Sequence, residues 1–429
     1  MYRRHIARTK RRLLSRNKWK LRLVFWGSAL LIGAVAAIFA LAARYADNYF
    51  HTLHQTTPWL AYALTPLGLA TVALLTRYYF TGTEGSGIPQ AIAAISMHNH
   101  TLRSRILSLK VAMGKIFLTC LGLLCGASIG REGPTVHIGA SIMYSLRHIA
   151  PFRGHDMTRA LILAGGAAGI SAAFNTPLAG IMFAIEEMSR SFEHRSSGTL
   201  LISVVLAGVT ALFFLGNYTY FGTNDAVMPL TSAWLAVLIC GVAGGLLGGA
   251  FATGLVIGTR RIATFATRYP VTLALICGLI LSLLGYLSAG ATYGTGYEEA
   301  KHLVTGGDGH AAYPVLKFLA TIVSYLSGIP GGIFAPSLSI GAGLGADLAT
   351  LVPHAPLAAM VMLGMVGYFT GVVQTPLTAL IIVMEMNNDS AMLLPLMATA
   401  LIAKGVSHLI CPLPIYQALA EAYLAKTDK

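Results

Sequence analysis

Apolar residues run along this chain in long unbroken blocks, not in the one-sided stripe of a surface helix. The blocks cover residues 23–43, 106–129, 200–215, 233–258, 271–289 and 357–384, and most approach membrane-crossing length. The pattern predicts an all-α polytopic membrane protein. Where the blocks break, they break on glycine and proline. The stretch 81–90 reads Thr-Gly-Thr-Glu-Gly-Ser-Gly-Ile-Pro-Gln, which cannot be the middle of a helix. Similar breaks fall at 130–134, 328–336 and 412–416. Each carries proline at or near the start of a helix-like run, where its missing N–H costs nothing. Broken helices with open N-terminal mouths are the expectation at these points.

The break at 130–139 has the most chemistry. Residues 116–129 hold no charge, then Arg131 and Glu132 appear between Gly130 and Gly133, with Pro134 following. Ionisable groups at membrane depth are costly and mark function by default. A helix mouth presents unpaired N–H groups and partial positive charge, so it attracts anions. Glu132 reads as an anion already sitting in an anion site. Ser86 lies at a second mouth with a hydroxyl to donate. Lys115, inside the apolar stretch before Glu132, either balances buried carboxylates or snorkels to an interface. Glu186 and Glu187 close another apolar run, as interfacial groups or as part of a proton route. Tyr416 breaks the last run; most such tyrosines anchor at the interface.

Composition sharpens the class. The chain is 55% hydrophobic and 11% charged, against about 25% charged in ordinary soluble domains. The net charge of +14 suggests nucleic acid until it is located: residues 1–22 carry ten Lys or Arg and no acid. A basic tail against an apolar block places the N-terminus in the cytoplasm and near anionic lipid, with no nucleic-acid role. Its apolar run is too long for a cleaved secretory signal. The expected organisation is this tail, 1–22, and one transport domain, 23–425. Cys120, Cys125, Cys240, Cys277 and Cys411 have no metal-ligand spacing and read as small core residues. No metal or cofactor is implied.

The transport domain repeats internally. Gly-x3-Pro-x3-Ile-Gly-Ala occurs at Gly130 and again at Gly332, 202 positions later. Thr176-Pro177-Leu178 matches Thr375-Pro376-Leu377 at an offset of 199, and Glu187-Met188 matches Glu385-Met386 at 198. The halves fall at about 23–215 and 228–425. Interrupted segments in matching positions of two halves point to a transporter's central site. Where the first half has Arg131-Glu132-Gly133, the second has Ile333-Phe334-Ala335. The repeat keeps two anion-attracting backbones and places one carboxylate. That asymmetry suggests a single titratable gate.

Gly85-Ser86-Gly87-Ile88-Pro89, Gly130-Arg131-Glu132-Gly133-Pro134, Gly332-Ile333-Phe334-Ala335-Pro336 and Tyr416 together resemble the signature motifs of the CLC chloride channels and chloride/proton antiporters. The likeness spans about residues 25 to 425 and keeps the motif order. It implies two inverted repeats with re-entrant helices, and a homodimer in which each subunit has its own pore. It implies chloride coordination by Ser86 with Gly87 beside it, by Tyr416 and by the amides of Ile333 and Phe334. Glu132 matches the family's gating glutamate and Glu187 the internal proton-transfer glutamate, with Glu186 next to it. Gly130, Arg131, Gly133, Pro134 and Lys115 take supporting roles. The thirteen residues after Tyr416 leave no room for C-terminal regulatory domains, as in the prokaryotic branch, which implies a bacterial inner membrane. Two departures bear on the proton route. Gln90 and Ile92 stand where some bacterial antiporters have acids, and 189–192 differ from the expected pattern.

The function implied is chloride/proton exchange. A passive channel of the same fold is the alternative, though Glu187 argues against it. A third reading is a transporter for fluoride or nitrate; Ser86 favours chloride, since nitrate-preferring relatives tend to carry proline there. A remote rival is an intramembrane serine hydrolase, because Gly126-Ala-Ser128-Ile-Gly130 matches Gly-x-Ser-x-Gly; His137 is its nearest candidate base. A weak dinucleotide-loop match at 341–345 lacks a βαβ unit around it. The protein is read as a transporter, not an enzyme.

Overall fold

The computed structural model describes residues 16–149, 154–189, 197–216, 220–222, 228, 230–352, 355–387 and 391–427. Residues 1–15 of the basic tail and 190–192 lie outside them. Among the described residues the chain is almost entirely helical. Backbone pairing between segments is confined to isolated bridges at Gly85–Pro330 and Gly130–Gly332.

The first half begins with α1 (Arg16–Thr56), which continues the end of the tail into the first apolar block, and α2 (Pro58–Tyr78). Short helices α3 (Ile88–Ser96) and α4 (His100–Ile106) follow, then α5 (Leu109–Leu124) and α6 (Glu132–Ser145). α7 (His155–Phe174), α8 (Pro177–Phe183) and α9 (Ser197–Leu215) complete it. The second half runs α10 (Leu230–Arg268), α11 (Pro270–Leu287), α12 (Tyr297–Val304), α13 (Tyr313–Leu326) and α14 (Phe334–Ala349). It ends with α15 (Leu357–Val373), α16 (Pro376–Asn387), α17 (Leu393–Ile410) and α18 (Ile415–Thr427). Among the described residues, seven helical spans are long and apolar enough to cross a membrane.

One block read from apolarity divides in the structure. The block 357–384 is two helices: Gln374 ends α15 in the left-handed region at φ 60°, and Pro376 starts α16. A residue before proline resists helical backbone, and apolarity does not register this. Asn175 (φ 58°) ends α7 before Pro177 in the same way. Helix α2, absent from those blocks, carries Pro66 and three threonines inside it. Their hydroxyls bond back into the helix, as in Thr65 to Ala61 O at 3.1 Å and Thr71 to Leu67 O at 2.8 Å.

The repeat recurs in packing. α6 lies on α7 and α14 on α15; α5 lies on α6 and α13 on α14; α9 lies on α1 and α17 on α10. Gly139 against Gly165 and Gly341 against Gly364 bring backbones so close that a Cβ would strike a carbonyl. The glycines of 244–249 serve the same purpose, Gly244 facing Gly367 and Gly248 facing Gly371. Gly130 and Gly332, equivalent in the two halves, exchange two backbone bonds of 2.7 Å. Helices α6 and α14 therefore meet mouth to mouth and run apart. A two-fold axis through this bridge inverts one half relative to the other.

Candidate functional site

Three loops are knitted at the junction. Gly331 N–H donates to Gly85 O at 3.3 Å, linking the Ser86 loop to the α14 mouth, while the Gly130–Gly332 bridge links both mouths. Gly87, at φ 97°, is the N-cap of α3. A Cβ on Gly133 would sit 2.7 Å from Ser86 Oγ, so only glycine lets the α6 mouth approach Ser86. Lys115 is fully buried. It does not snorkel: its Nζ donates to Gly85 O at 3.0 Å and Glu84 O at 3.5 Å, and the Glu84 carboxylate is its electrostatic partner. Gln90 adds a bond of 2.6 Å from Nε2 to Glu84 O. Both residues fix the loop that carries Ser86.

Glu132 is the first residue of α6 and is fully buried. Its carboxylate folds over Gly130 toward the Ala335 amide of α14. Neither oxygen completes a hydrogen bond among the described residues. Arg131 Nε lies 3.9 Å from Glu132 Oε1, and its Nη1 donates to Ala40 O of α1 at 2.7 Å. The arginine is thus anchored to a third element. In α14 the equivalent positions are Ile333, the N-cap, and Phe334, the first residue.

Phe334 is boxed by Phe369, Phe183 and Phe174, with ring centroids at 4.8, 6.0 and 6.3 Å. Tyr416 stands 5.7 Å from the same ring. It is fully buried, so it is not an interface anchor. Its hydroxyl completes no hydrogen bond among the described residues, and its electrostatic neighbours are Glu187, Tyr325, Glu132 and Ser86. The proposed anion ligands Ser86, Tyr416 and the α14 mouth, together with Glu132, are therefore gathered at one junction. Glu187, in the turn that follows α8, is 3% exposed and interacts electrostatically with Tyr416. Glu186 turns away: its carboxylate accepts from Leu377 N at 3.3 Å, Thr378 N at 2.8 Å and Thr378 Oγ1 at 2.9 Å.

The hydrolase geometry is absent. Ser128 Oγ pairs with Thr321 Oγ1 at 3.1 Å, and His137 Nε2 with Ile106 O at 3.1 Å. The serine and histidine serve separate packing contacts.

Sequence reasoning missed the second-half counterpart of the Ser86 loop. Gly294-Thr295-Gly296 leads into α12 as Gly85-Ser86-Gly87 leads into α3. Ile88 N donates to Ser86 Oγ at 3.3 Å, and Tyr297 N to Thr295 Oγ1 at 3.3 Å. Lys317, 202 positions after Lys115, donates to the carbonyls of Thr292, Tyr293 and Gly294 at 2.9, 3.2 and 2.9 Å. Thr295 already holds an anion of the chain itself: Asp47 Oδ2 accepts from its hydroxyl at 3.0 Å and its N–H at 3.3 Å. The Lys-to-Lys offset was the signal that could have found this loop.

Cavities follow the two loops. One of about 500 Å³ is lined by Arg77, Glu84, Ser86, Gln90, Tyr325 and Thr259 and ends on the Ser86 loop. The other, about 30 Å³, is lined by Arg44, Asp47, His51, Arg131, Thr295 and Glu299. Asp47, whose carboxylate sits on Thr295, lines the smaller of these cavities, and Ser86 lines the larger.

A family model described as voltage gated chloride channel matches residues 67–408. The chain belongs to the voltage-gated chloride channel family, CLC. As a CLC transporter it is a multi-pass membrane protein and not an enzyme. Its fold is similar to the crystal structure of a slow cyanobacterial Cl⁻/H⁺ antiporter at 27% identity and a TM-score of 0.81, covering 95% of this chain and 98% of that one. It is also similar to a CLC-type fluoride/proton antiporter at 24% identity and TM-score 0.79, covering 92% and 96% of the two chains. A eukaryotic CLC transporter matches at 20% identity and TM-score 0.77, over 94% of this chain and 74% of that one. The last two likenesses establish the fold alone.

Proposed function

We propose that this CLC protein exchanges chloride for protons across the membrane. Chloride is held by Ser86, Tyr416 and the amides of Ile333 and Phe334, with Gly87 shaping the loop. Glu132 is the gate, and Glu187 passes protons to it from the opposite end of the path. The observation that carries the reading is the placement of Glu132. It is a fully buried carboxylate where two inverted helix mouths meet, and the other half has Phe334 at that position. A carboxylate there competes with an anion for the same donors when ionised and leaves when protonated. Charge-assisted hydrogen bonds contribute roughly 1.5–3 kcal/mol each, enough with the helix ends to offset much of the desolvation cost without trapping the ion. The kinship with a cyanobacterial Cl⁻/H⁺ antiporter supports the coupling.

We also propose a homodimer in a bacterial inner membrane with its N-terminus in the cytoplasm, following the family resemblance and the basic tail. The test is flux from liposomes with chloride and protons read together. A chloride gradient should drive protons uphill, and Glu187→Gln should abolish that movement while chloride flux continues. Chloride flux with no proton movement in the wild type would make the protein a passive channel instead.

A further inference from the structure

The two acids that close α8 take different paths. Ala184–Ser189 form a π turn, which holds one more residue per turn than an α-helix. Glu186 aligns with Glu385 at the offset of 199 that relates Pro177 to Pro376, whereas Met188 aligns with Met386 at 198. The reciprocal contacts of Glu186 and Glu385 therefore replace the sequence match of Glu187 to Glu385 at 198: Glu186 is the equivalent of Glu385, and Glu187 is the residue that the turn adds. Single-turn π insertions of this kind concentrate at functional sites.

Glu186 and Glu385 form a matched set. Glu186 accepts from Leu377 N at 3.3 Å and Thr378 N at 2.8 Å, in the first turn of α16. Glu385 accepts from Leu178 N at 3.1 Å and Ala179 N at 2.9 Å, in the first turn of α8. Leu178 and Leu377, and Ala179 and Thr378, are equivalent at the same offset of 199. Each half thus lends a carboxylate to the other half's helix mouth, where unpaired N–H groups and the helix dipole favour it. Helices α8 and α16 pack directly on each other, so the two caps sit across one contact. The two backbone N–H groups facing Glu186 can only donate, and the Thr378 hydroxyl, 2.9 Å from Oε2, donates to the same carboxylate. A carboxyl that took up a proton there would give up an acceptor that the mouth needs.

We propose that Glu186 and Glu385 are a reciprocal positioning pair that holds the α8–α16 contact and so presents Glu187 inward, and that Glu186 is not on the proton path. The proposal rests on the reading of Glu187 as a proton carrier. It explains why two adjacent acids do different work. Structural caps come in symmetry-related pairs, whereas the carrier stands alone.

The test compares Glu186→Gln, Glu385→Gln and Glu187→Gln in the full-length protein. Liposome flux gives the proton-to-chloride ratio. Hydrogen exchange by mass spectrometry follows peptides over 176–182 and 375–381. Glu186→Gln and Glu385→Gln should lower the ratio to a similar, partial extent and keep a chloride flux. Exchange should quicken on the opposite helix in each case: at 375–381 for Glu186→Gln and at 176–182 for Glu385→Gln. Glu385→Asp, which keeps the charge, should lie between wild type and Glu385→Gln and serves if the glutamine variant does not fold. Complete loss of proton movement in Glu186→Gln with a silent Glu385→Gln would place Glu186 on the path and overturn the proposal. Unchanged ratio and exchange in both would overturn it as well. If Glu187→Gln still couples, the carrier reading fails, and the exchange data still judge the paired caps.

Discussion

At the scale of single residues, the inverted repeat separates structural from functional groups. Gly130 has Gly332, Lys115 has Lys317, and Asn175 has Gln374, each pair in the same local role. Glu132 faces Phe334 in the alignment, and Ser86 faces a Thr295 already occupied by Asp47. Directional transport needs such differences, because a strictly symmetric pore cannot treat its two ends differently. Glu132→Gln should mimic the protonated gate and Glu132→Ala should remove it. Both should pass chloride and lose proton coupling in the liposome assay, and intact proton pumping in either would refute the gate. Gly133→Ala places a methyl carbon 2.7 Å from Ser86 Oγ and should displace it. Losing one charge-assisted bond of roughly 1.5–3 kcal/mol weakens chloride binding by about 10- to 150-fold, measurable by calorimetry. Tyr416→Phe should cost less than Tyr416→Ala, because the backbone amides remain and the ring still packs 5.7 Å from Phe334.

At the scale of elements, broken helices make the site. A continuous helix satisfies its own N–H groups, whereas one that starts at Glu132 or Phe334 inside the protein leaves several free to bind an anion. Irregular backbone between the helices must then be satisfied by side chains. Lys115 and Lys317 do this, binding two and three carbonyls respectively. Lys317→Met should lower thermal stability by about 2–4 kcal/mol, since it strands three buried acceptors in one loop. Lys115→Met should be milder in the melting curve but should also weaken chloride binding, because its loop carries Ser86. Equal effects of the two on binding would contradict the assignment of Ser86.

At the scale of the whole molecule, the two equivalent loops border cavities of unequal size, about 500 Å³ at the Ser86 loop and about 30 Å³ at the Thr295 loop. The smaller one is lined by Asp47 and by Arg131, whose Nε lies 3.9 Å from Glu132. The assembled protein should behave as a dimer. Light scattering with detergent subtracted should give twice the 45.3 kDa chain mass, and a monomer mass would remove that proposal.

Much of this was legible in the sequence. Long apolar blocks force helices, because lipid offers backbone groups no other partner. Glycine and proline mark the breaks, because they alone release or forbid helical backbone so consistently. The signature motifs and the 202-residue offset located the two mouths and their unequal chemistry. What the sequence could not decide depends on partners far along the chain. Glu186 and Glu187 are neighbours of the same type, and only Leu377 and Thr378, some 190 positions away, distinguish them. Lys115 could equally have snorkelled, and only the Gly85 carbonyl, 30 positions earlier, shows that it turns inward. Tyr416 had the profile of an interface tyrosine until packing against Phe334 buried it. Local pattern is set by backbone geometry and solvent, which each segment meets alone. The role of a polar side chain is set by whichever group satisfies it, and that is fixed only when the two halves close on each other.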